Sequence, residues 1–409
     1  MAENAPAPNA ANSLRGSSNT PLRFESAEDG GGGLKEESAL CFSGGGFRAT
    51  LFHAGVLLRL NEVELLQEFT RISSVSGGSI TAAMLGMQWT QLGFPARGTP
   101  GKCPAENLMK LVVEPLRKLC STTVDVSSIF WGSLNPWSWI SDQVASHYDE
   151  IFQGRTLQAL PSDAEGPRFI INATNVKTGS LWRFSRPYMA DYRVGMIENP
   201  KVTLARAVTA SSAFPPVLSP MRLELNPADF KPGIPLGNID SSLRREAILT
   251  DGGVYDNLGL EPVWKTHKHV YVSDAGRKMD DDLDPATDWA QHSRRLIDLL
   301  QHQTSNLRRR TVVGAFDDDN EPHQGAYWGI QTDINDYPIE KSKRLDCPHE
   351  VTLDIAAIPT RLTALSNHDQ ERIMNWGYAV CDAALRSRLE KFKAIAAPTK
   401  FPFEATGLG

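Results

Sequence analysis

A serine at a sharp turn is the residue whose position in this sequence best fits covalent chemistry. Arg71 to Val75 begins as a β-branched run, Ser76-Gly77-Gly78 makes the turn, and Thr81 to Met87 is typical of a helix. A strand that passes into a helix through a serine and glycines predicts a nucleophile elbow, which exposes the serine hydroxyl. Gly77 has no Cβ to clash in the tight bend. Ser74 occupies the place where the usual G-x-S-x-G pattern has its first glycine, so the match is S-x-S-x-G. Clusters of small residues such as this one also occur at ordinary turns.

A glycine turn precedes the elbow and could supply an oxyanion hole. Gly44-Gly45-Gly46 follows a short apolar run and opens a helical pattern, so its backbone N–H groups would face a reacting carbonyl oxygen. The alternative is a dinucleotide site, since Gly44, Gly46 and Ala49 fit G-x-G-x-x-A and Glu64 lies 20 residues after Gly44. Glu64 precedes the second strand instead of ending it, which argues against that site. A glycine turn without chemistry stays open.

An acid follows a later strand and could serve the serine as a base. Ala247 to Thr250 predicts a short strand, and Asp251 comes directly after it, before Gly252-Gly253. In a parallel sheet this position lies at the carboxyl edge, where binding sites form. The alternative is an Asx-turn residue that caps the bend. Asp256 and Asp274 are rival acids.

The elements that carry these residues alternate between strand and helix. This βαβα order predicts an α/β fold, a mainly parallel central sheet with helices on both faces. Residues 1–36 are rich in Ala, Asn, Pro, Ser and Gly, which predicts a disordered leader. We expect a catalytic domain over 37–265 and, over 266–409, a C-terminal helical extension packed on it.

Composition excludes some classes of function. The 409 residues are 41% hydrophobic and carry a formal net charge of −6, which argues against a general nucleic-acid-binding protein. The five cysteines lack C-x-x-C spacing, which predicts a reduced intracellular protein without a metal site. We therefore expect a cytoplasmic protein that uses no metal and no cofactor.

Two further segments have more than one interpretation. Trp131, Trp137 and Trp139 predict an acyl-binding wall, a lid, a contact with lipid headgroups, or ordinary packing under a long insertion. Trp289 to Arg310 predicts a helix that ends in Leu307-Arg308-Arg309-Arg310. That basic end is either a solvated helix terminus or a site for a phosphate-bearing ligand or anionic headgroup.

Together these blocks resemble the patatin-like phospholipases. The glycine block is Gly44 to Arg48, the elbow is Ser74 to Gly78, and the acid block is Asp251 to Gly253. Ala210 to Pro216 resembles the family's proline-containing block, and the four occur in the family's order over roughly residues 38–265. Ser74, and Ala49-Thr50 after the arginine, depart from the common pattern and are similar to the cytosolic phospholipase A2 side of the superfamily.

The resemblance implies a three-layer patatin-like fold and a Ser–Asp dyad without histidine. Ser76 would attack an ester carbonyl, Asp251 would take its proton, and Gly44-Gly45-Gly46 would stabilise the oxyanion. Arg48, near the glycine loop, would orient that loop or attract the lipid phosphate. Supporting roles fall to Gly77, Gly252 and Gly253. His53, His267 and His269 keep a conventional triad open in principle.

The implied substrate is membrane phospholipid, bound by a protein that associates peripherally with the membrane. A general carboxylesterase or acyltransferase on the same dyad is one alternative. A catalytically silent lipid- or nucleotide-binding protein is another. Some bacterial members of the family are antiphage effectors activated by cyclic oligonucleotides, so such an activator is a further expectation. The sequence does not specify an oligomeric state.

Overall fold

The computed structural model describes residues 33–94, 104–124, 136–215, 218–232, 239–277, 279 and 281–409. The strands of this part are β1 (Lys35–Phe42), β2 (Phe69–Val75), β3 (Arg168–Asn175), β4 (Ser180–Phe184), β5 (Tyr188–Asp191), β6 (Gly195–Glu198), β7 (Met221–Glu224), β8 (Glu246–Asp251), β9 (His267–Asp274) and β10 (Gln324–Gly329). The helices are α1 (Gly46–Glu62), α2 (Gly77–Gln88), α3 (Glu114–Cys120), α4 (Pro136–Phe152), α5 (Leu204–Ser211), α6 (Gly253–Asp256), α7 (Trp289–Asp317), α8 (His349–Ala357), α9 (Asn367–Arg388) and α10 (Glu390–Lys393).

The strands form one mixed sheet in the order β10-β9-β1-β2-β3-β4-β5-β6, and β8 pairs with both β3 and β7. The five adjacent strands β10, β9, β1, β2 and β3 run parallel to one another, and the remaining strand pairs are antiparallel. Phe42 at the end of β1 pairs with Ser74 and Ser273, so β1, β2 and β9 end at one edge. The predicted α/β class, with a mainly parallel core, is confirmed.

Both faces of the sheet are covered. Along β1, Leu40 and Phe42 join the large core that includes α1 and α9, while Ala39 and Cys41 join a second core on the other face. Val312 of α7 belongs to the second core. Because successive strand residues point to opposite faces, burial of both sets requires helices on both sides.

A pair of glycines brings α9 against α1 at backbone distance. A Cβ atom on Gly55 would lie 1.9 Å from the carbonyl oxygen of Met374, and one on Gly377 would lie 2.2 Å from that of Phe52. Neither position has room for a side chain. The C-terminal region is therefore packed directly on the helix that follows the glycine turn.

The structure differs from the sequence expectations at several boundaries. Strands β9 and β10 lie beyond residue 265, so the C-terminal region adds strands to the central sheet as well as helices. Strand β1 begins at Lys35, two residues inside the segment expected to be a leader. Helix α7 continues to Asp317, so the prediction that it ends at Arg310 was wrong; the buried side chains of Val312 and Ala315 extend its packed face.

Other expectations fall on parts of the chain that are not described. Residues 1–32 and Trp131 lie outside the described residues, as do the side chains of Trp137 and Trp139. Across the helices of the described segments, none is both long enough and apolar enough to cross a lipid bilayer.

Candidate active site

Ser76 lies at the point where β2 becomes α2. Its backbone has φ 52° and ψ −123°, a positive-φ conformation that residues other than glycine rarely adopt. Such strain costs about 1–3 kcal/mol and persists only where surrounding contacts enforce it. Helix α2 begins at the next residue, and the serine is 8% exposed. The strand, turn and helix of a nucleophile elbow are therefore present.

Hydroxyl groups hold this strained turn in place. The Ser76 N–H donates to Ser211 Oγ at 2.9 Å, and Ser211 Oγ donates to the carbonyl of Asn172 at 2.6 Å. Ser79 Oγ lies 2.9 Å from Ser211 Oγ and donates to Ser74 Oγ. Sequence reasoning did not assign a role to Ser211, although it lies in the block of small residues before the prolines. Ser74, the departure from the elbow motif, is part of this network.

The glycine turn touches the elbow through bare backbone. A Cβ on Gly77 would lie 2.1 Å from the carbonyl oxygen of Gly46, and one on Gly44 would lie 3.1 Å from Ser76 Cβ. Two segments separated by about thirty residues of sequence thus meet at glycines, which allow their backbones to approach closely. The predicted glycine block and the predicted elbow lie side by side.

The three predicted oxyanion donors differ in their hydrogen bonds. The Gly44 N–H donates to the carbonyl of Asn257 at 3.2 Å. In the described part of the chain, the N–H groups of Gly45 and Gly46 have no acceptor. Both glycines have positive φ, 148° and 59°, at the start of α1. The geometry leaves two of the three amides available to an oxyanion.

Asp251 ends β8 beside the elbow. The Gly253 N–H donates to its Oδ1 at 2.7 Å, and the Gly252 N–H donates to the Ser211 carbonyl at 3.1 Å. Burial raises the pKa of Asp251 to about 6, and hydrogen bonds from Gly253 and from the Ser76 hydroxyl oppose that rise. A carboxylate with this pKa is a stronger base than an ordinary one and is still ionised at neutral pH.

The rival acids have other partners. Asp256 accepts the N–H groups of Leu258 at 3.1 Å and Glu261 at 2.7 Å. Asp274 accepts two hydrogen bonds from Arg309, and the resulting ion pair contributes to a pKa below the usual range despite burial. Of these three acids, Asp251 is the one that interacts with the Ser76 hydroxyl.

The histidines considered for a triad are also engaged away from Ser76. His53 is buried, with Nδ1 2.8 Å from Ser273 Oγ and Nε2 3.0 Å from the carbonyl of Ser43. Burial lowers its pKa to about 4. His267 and His269 lie at the start of β9, whose other end carries the candidate site.

Arg48 is fully buried beneath the glycine turn. Its Nη1 donates to the carbonyl of Ala356 at 2.9 Å, and its Nη2 donates to the carbonyl of Ala275 at 2.8 Å and to Thr360 Oγ1 at 3.1 Å. Burial lowers its pKa to about 10. The side chain connects α1 to the end of α8 and the segment after it, and both terminal nitrogens of its guanidinium donate to these oxygens.

That C-terminal segment also covers the glycine turn. The Phe47 N–H donates to the carbonyl of Arg361 at 3.1 Å, and a Cβ on Gly46 would lie 2.5 Å from the same oxygen. Sequence reasoning missed this contribution because nothing in the local pattern around Arg361 resembles a motif. The site is assembled from at least five separate regions of the chain.

The family model of the patatin-like phospholipases matches residues 40–264. No curated protein sequence matches the chain.

Among solved structures, human GIVD cytosolic phospholipase A2 is similar at 12% identity and a TM-score of 0.48, over 86% of this chain and 61% of that one. VipD from Legionella pneumophila is similar at 14% identity and a TM-score of 0.37, over 87% of this chain and 68% of that one. The chain therefore spans less than two thirds of the human enzyme. Because the family model covers more than half of its residues, this chain belongs to the patatin-like phospholipase family.

Proposed function

We propose that the protein is a serine acyl hydrolase that cleaves acyl esters of membrane phospholipids with a Ser76–Asp251 dyad. One observation carries the proposal: a serine in a strained elbow interacts with a desolvated carboxylate, beside two backbone amides that have no acceptor among the described residues. Nucleophile, base and oxyanion donors are the three parts that acyl transfer requires.

In the first half of the reaction, Ser76 Oγ attacks the ester carbonyl carbon and its proton passes to the Asp251 carboxylate. The carbonyl oxygen becomes an oxyanion, which accepts hydrogen bonds from the N–H groups of Gly45 and Gly46. The intermediate collapses, the carbon–oxygen bond to the alcohol breaks, and the lysophospholipid leaves with the proton from Asp251. The acyl group remains on Ser76.

In the second half, a water molecule replaces the alcohol. Asp251 takes a proton from this water as it attacks the acyl carbon, and the same amides stabilise the second oxyanion. Collapse returns the proton to Ser76 Oγ and releases the fatty acid. A carboxylate suffices as the base because an alcohol leaves an ester more easily than an amine leaves an amide.

The test combines a covalent probe with lipid turnover. We expect an alkyl fluorophosphonate to attach one phosphonyl group to the wild-type protein and none to Ser76→Ala. Intact-protein mass spectrometry measures the added mass. Ser121→Ala is the matched control, because that hydroxyl bonds the Arg117 carbonyl at an exposed helix end and its loss should leave labelling intact. Equal labelling of wild type and Ser76→Ala would refute the assignment of the nucleophile.

Turnover separates the proposed activity from its alternatives. We expect release of fatty acid and lysophospholipid from phosphatidylglycerol vesicles by wild type but not by Ser76→Ala. Turnover of short-chain nitrophenyl esters alone would indicate a general carboxylesterase, and transfer of the acyl group to an added alcohol in preference to water would indicate an acyltransferase. Binding of lipid with no probe labelling would indicate a catalytically silent protein.

Activation by a cyclic oligonucleotide stays a prediction that rests on the family resemblance. If the protein has such an activator, one member of a panel of cyclic di- and trinucleotides should raise its melting temperature. No stabilisation across the panel would count against it.

A further inference from the structure

Helix α7 carries an apolar stripe that faces solvent. Trp289, Leu296, Leu300 and Leu307 are 84%, 45%, 64% and 60% exposed. Their spacings of 7, 4 and 7 residues place all four on one line along the helix. In the C-terminal half of α7, the buried residues Ser305 and Val312 lie on the opposite face. Four large apolar side chains in one exposed row exceed the scattered surface residues of an ordinary soluble domain.

The charge of this helix is opposite to that of the whole chain. Its sequence contains five arginines against two aspartates, a formal charge of +3 in a chain whose net charge is −6. Arg308 and Arg309 contact acids of the body: Arg308 lies near Asp256, and Arg309 pairs with Asp274. Arg310 is exposed and lies three residues after Leu307, beside the apolar row, whereas the exposed Arg294 lies on the same side of the helix as Val312. The outward part of α7 therefore combines an apolar row with one exposed arginine near its C-terminal end.

The same helix packs against α6, close to the backbone that holds Asp251. A Cβ on Gly253 would lie 2.9 Å from Gln301 Nε2, and the Gly253 N–H donates to the Asp251 carboxylate. A surface in contact with the stripe would therefore lie about one helix diameter, roughly 10 Å, from the residues that hold Asp251. That distance suits an enzyme whose substrate molecules are part of the surface.

We infer that the outward face of α7, from Trp289 to Leu307, docks onto an anionic phospholipid bilayer. The apolar row inserts among the headgroups and upper acyl chains, and Arg310 contacts lipid phosphates, as in interfacial amphipathic helices. The inference deepens the proposed function and rests on it for the identity of the surface. Its test does not depend on turnover.

The experiment uses the full chain with Ser76→Ala, so that the vesicles stay intact. We expect this protein to float with vesicles of phosphatidylglycerol and phosphatidylcholine, more weakly with phosphatidylcholine alone, and less at high salt. Adding Leu296→Gln and Leu300→Gln should lower the partition coefficient on anionic vesicles about tenfold or more, because two apolar side chains leave the interface. The matched control is Leu353→Gln, which changes a leucine that is 44% exposed on α8 and should not change flotation.

Several outcomes would overturn the inference. Absence of flotation of the Ser76→Ala protein would do so, as would equal partition of the double variant or equal binding to neutral and anionic vesicles. Light scattering without lipid tests whether a second copy of the chain covers the stripe instead. If the parent protein is a dimer, the double variant is a monomer, and both float equally well, the stripe joins two copies of the chain. Melting temperatures verify that each variant is folded. None of these results bears on whether Ser76 reacts with the fluorophosphonate, so failure of the docking surface and of the proposed function are distinguishable.

Discussion

Asp251→Asn is the substitution that tests the candidate site most directly, because it changes charge and keeps shape. The asparagine Oδ1 can accept the Gly253 N–H that now donates to Asp251 at 2.7 Å. Its amide group can then donate to the Ser76 hydroxyl. The fold and the hydrogen-bond geometry should survive, while the base is lost. General-base assistance contributes about 10²- to 10⁴-fold, and we expect kcat to fall by that factor.

The same substitution should raise stability in a pH-dependent way. Burial raises the pKa of Asp251 from 3.8 to about 6 in the folded protein, so the folded state binds more protons than the unfolded state between these values. Stability is therefore full below pH 4 and is lost as pH rises through 6. At about 1.4 kcal/mol per pKa unit, the loss above pH 7 is about 3 kcal/mol. The asparagine variant should not suffer this loss.

Urea unfolding at pH 4 and pH 8 measures the effect. The free energy of unfolding of Asp251→Asn minus that of wild type should be larger at pH 8 by about 3 kcal/mol. The comparison between two pH values cancels any pH-independent effect of the substitution. In wild type, kcat/KM should rise with pH through about 6 as Asp251 ionises. A stability difference that is the same at both pH values, or turnover that survives in the asparagine variant, would refute the reasoning.

Three further substitutions test the parts around the dyad. Gly77→Ala should lower kcat by about 100-fold or more, because the new Cβ would lie 2.1 Å from the carbonyl oxygen of Gly46 and displace the oxyanion amides. The control is Gly314→Ala, since Gly314 has open space around it. This control should stabilise α7 by about 0.5–1 kcal/mol. Ser211→Ala should cost about 1–3 kcal/mol in urea unfolding and lower kcat, since the Ser76 N–H loses its acceptor; unchanged kcat would show that this hydroxyl does not position the nucleophile. Arg48→Lys should cost about 2–4 kcal/mol and speed limited proteolysis after α8, because one ammonium cannot replace a guanidinium that donates to several oxygens; unaltered protection of that segment would contradict this.

Local patterns predicted the elements of the site because each depends on a few neighbouring residues. The elbow at Ser76 and the turn at Gly44-Gly45-Gly46 are recognisable because only small residues allow those backbone bends, whatever surrounds them. The alternation of strand and helix predicted the parallel core for the same reason. Asp251 was one of three acids with similar local sequence, and local sequence cannot rank acids that differ only in what lies across the sheet.

The hydrogen-bond partners of the site residues could not be predicted from local sequence either. The Gly44 N–H donates to the carbonyl of Asn257 in the segment after α6, and the buried Arg48 side chain donates to the carbonyl of Ala356 in the C-terminal region. The end of α7 was misplaced because the burial of Val312 depends on the second core, which forms from residues distant in sequence. Each of these facts is a contact between segments, and none leaves a periodic signal in the chain.

The sequence by itself determined the kind of chemistry available: a serine at a tight turn, glycine amides at a helix start and acids at strand ends, together with the order that folds them into a parallel sheet. Only the tertiary structure decided which acid lies beside Ser76, which glycine amides have no acceptor in the described segments, and that residues near Arg361 cover the glycine turn. The physical reason is that backbone conformation follows from local sterics. Burial, and with it the pKa of a carboxyl group, follows from which distant segments exclude water.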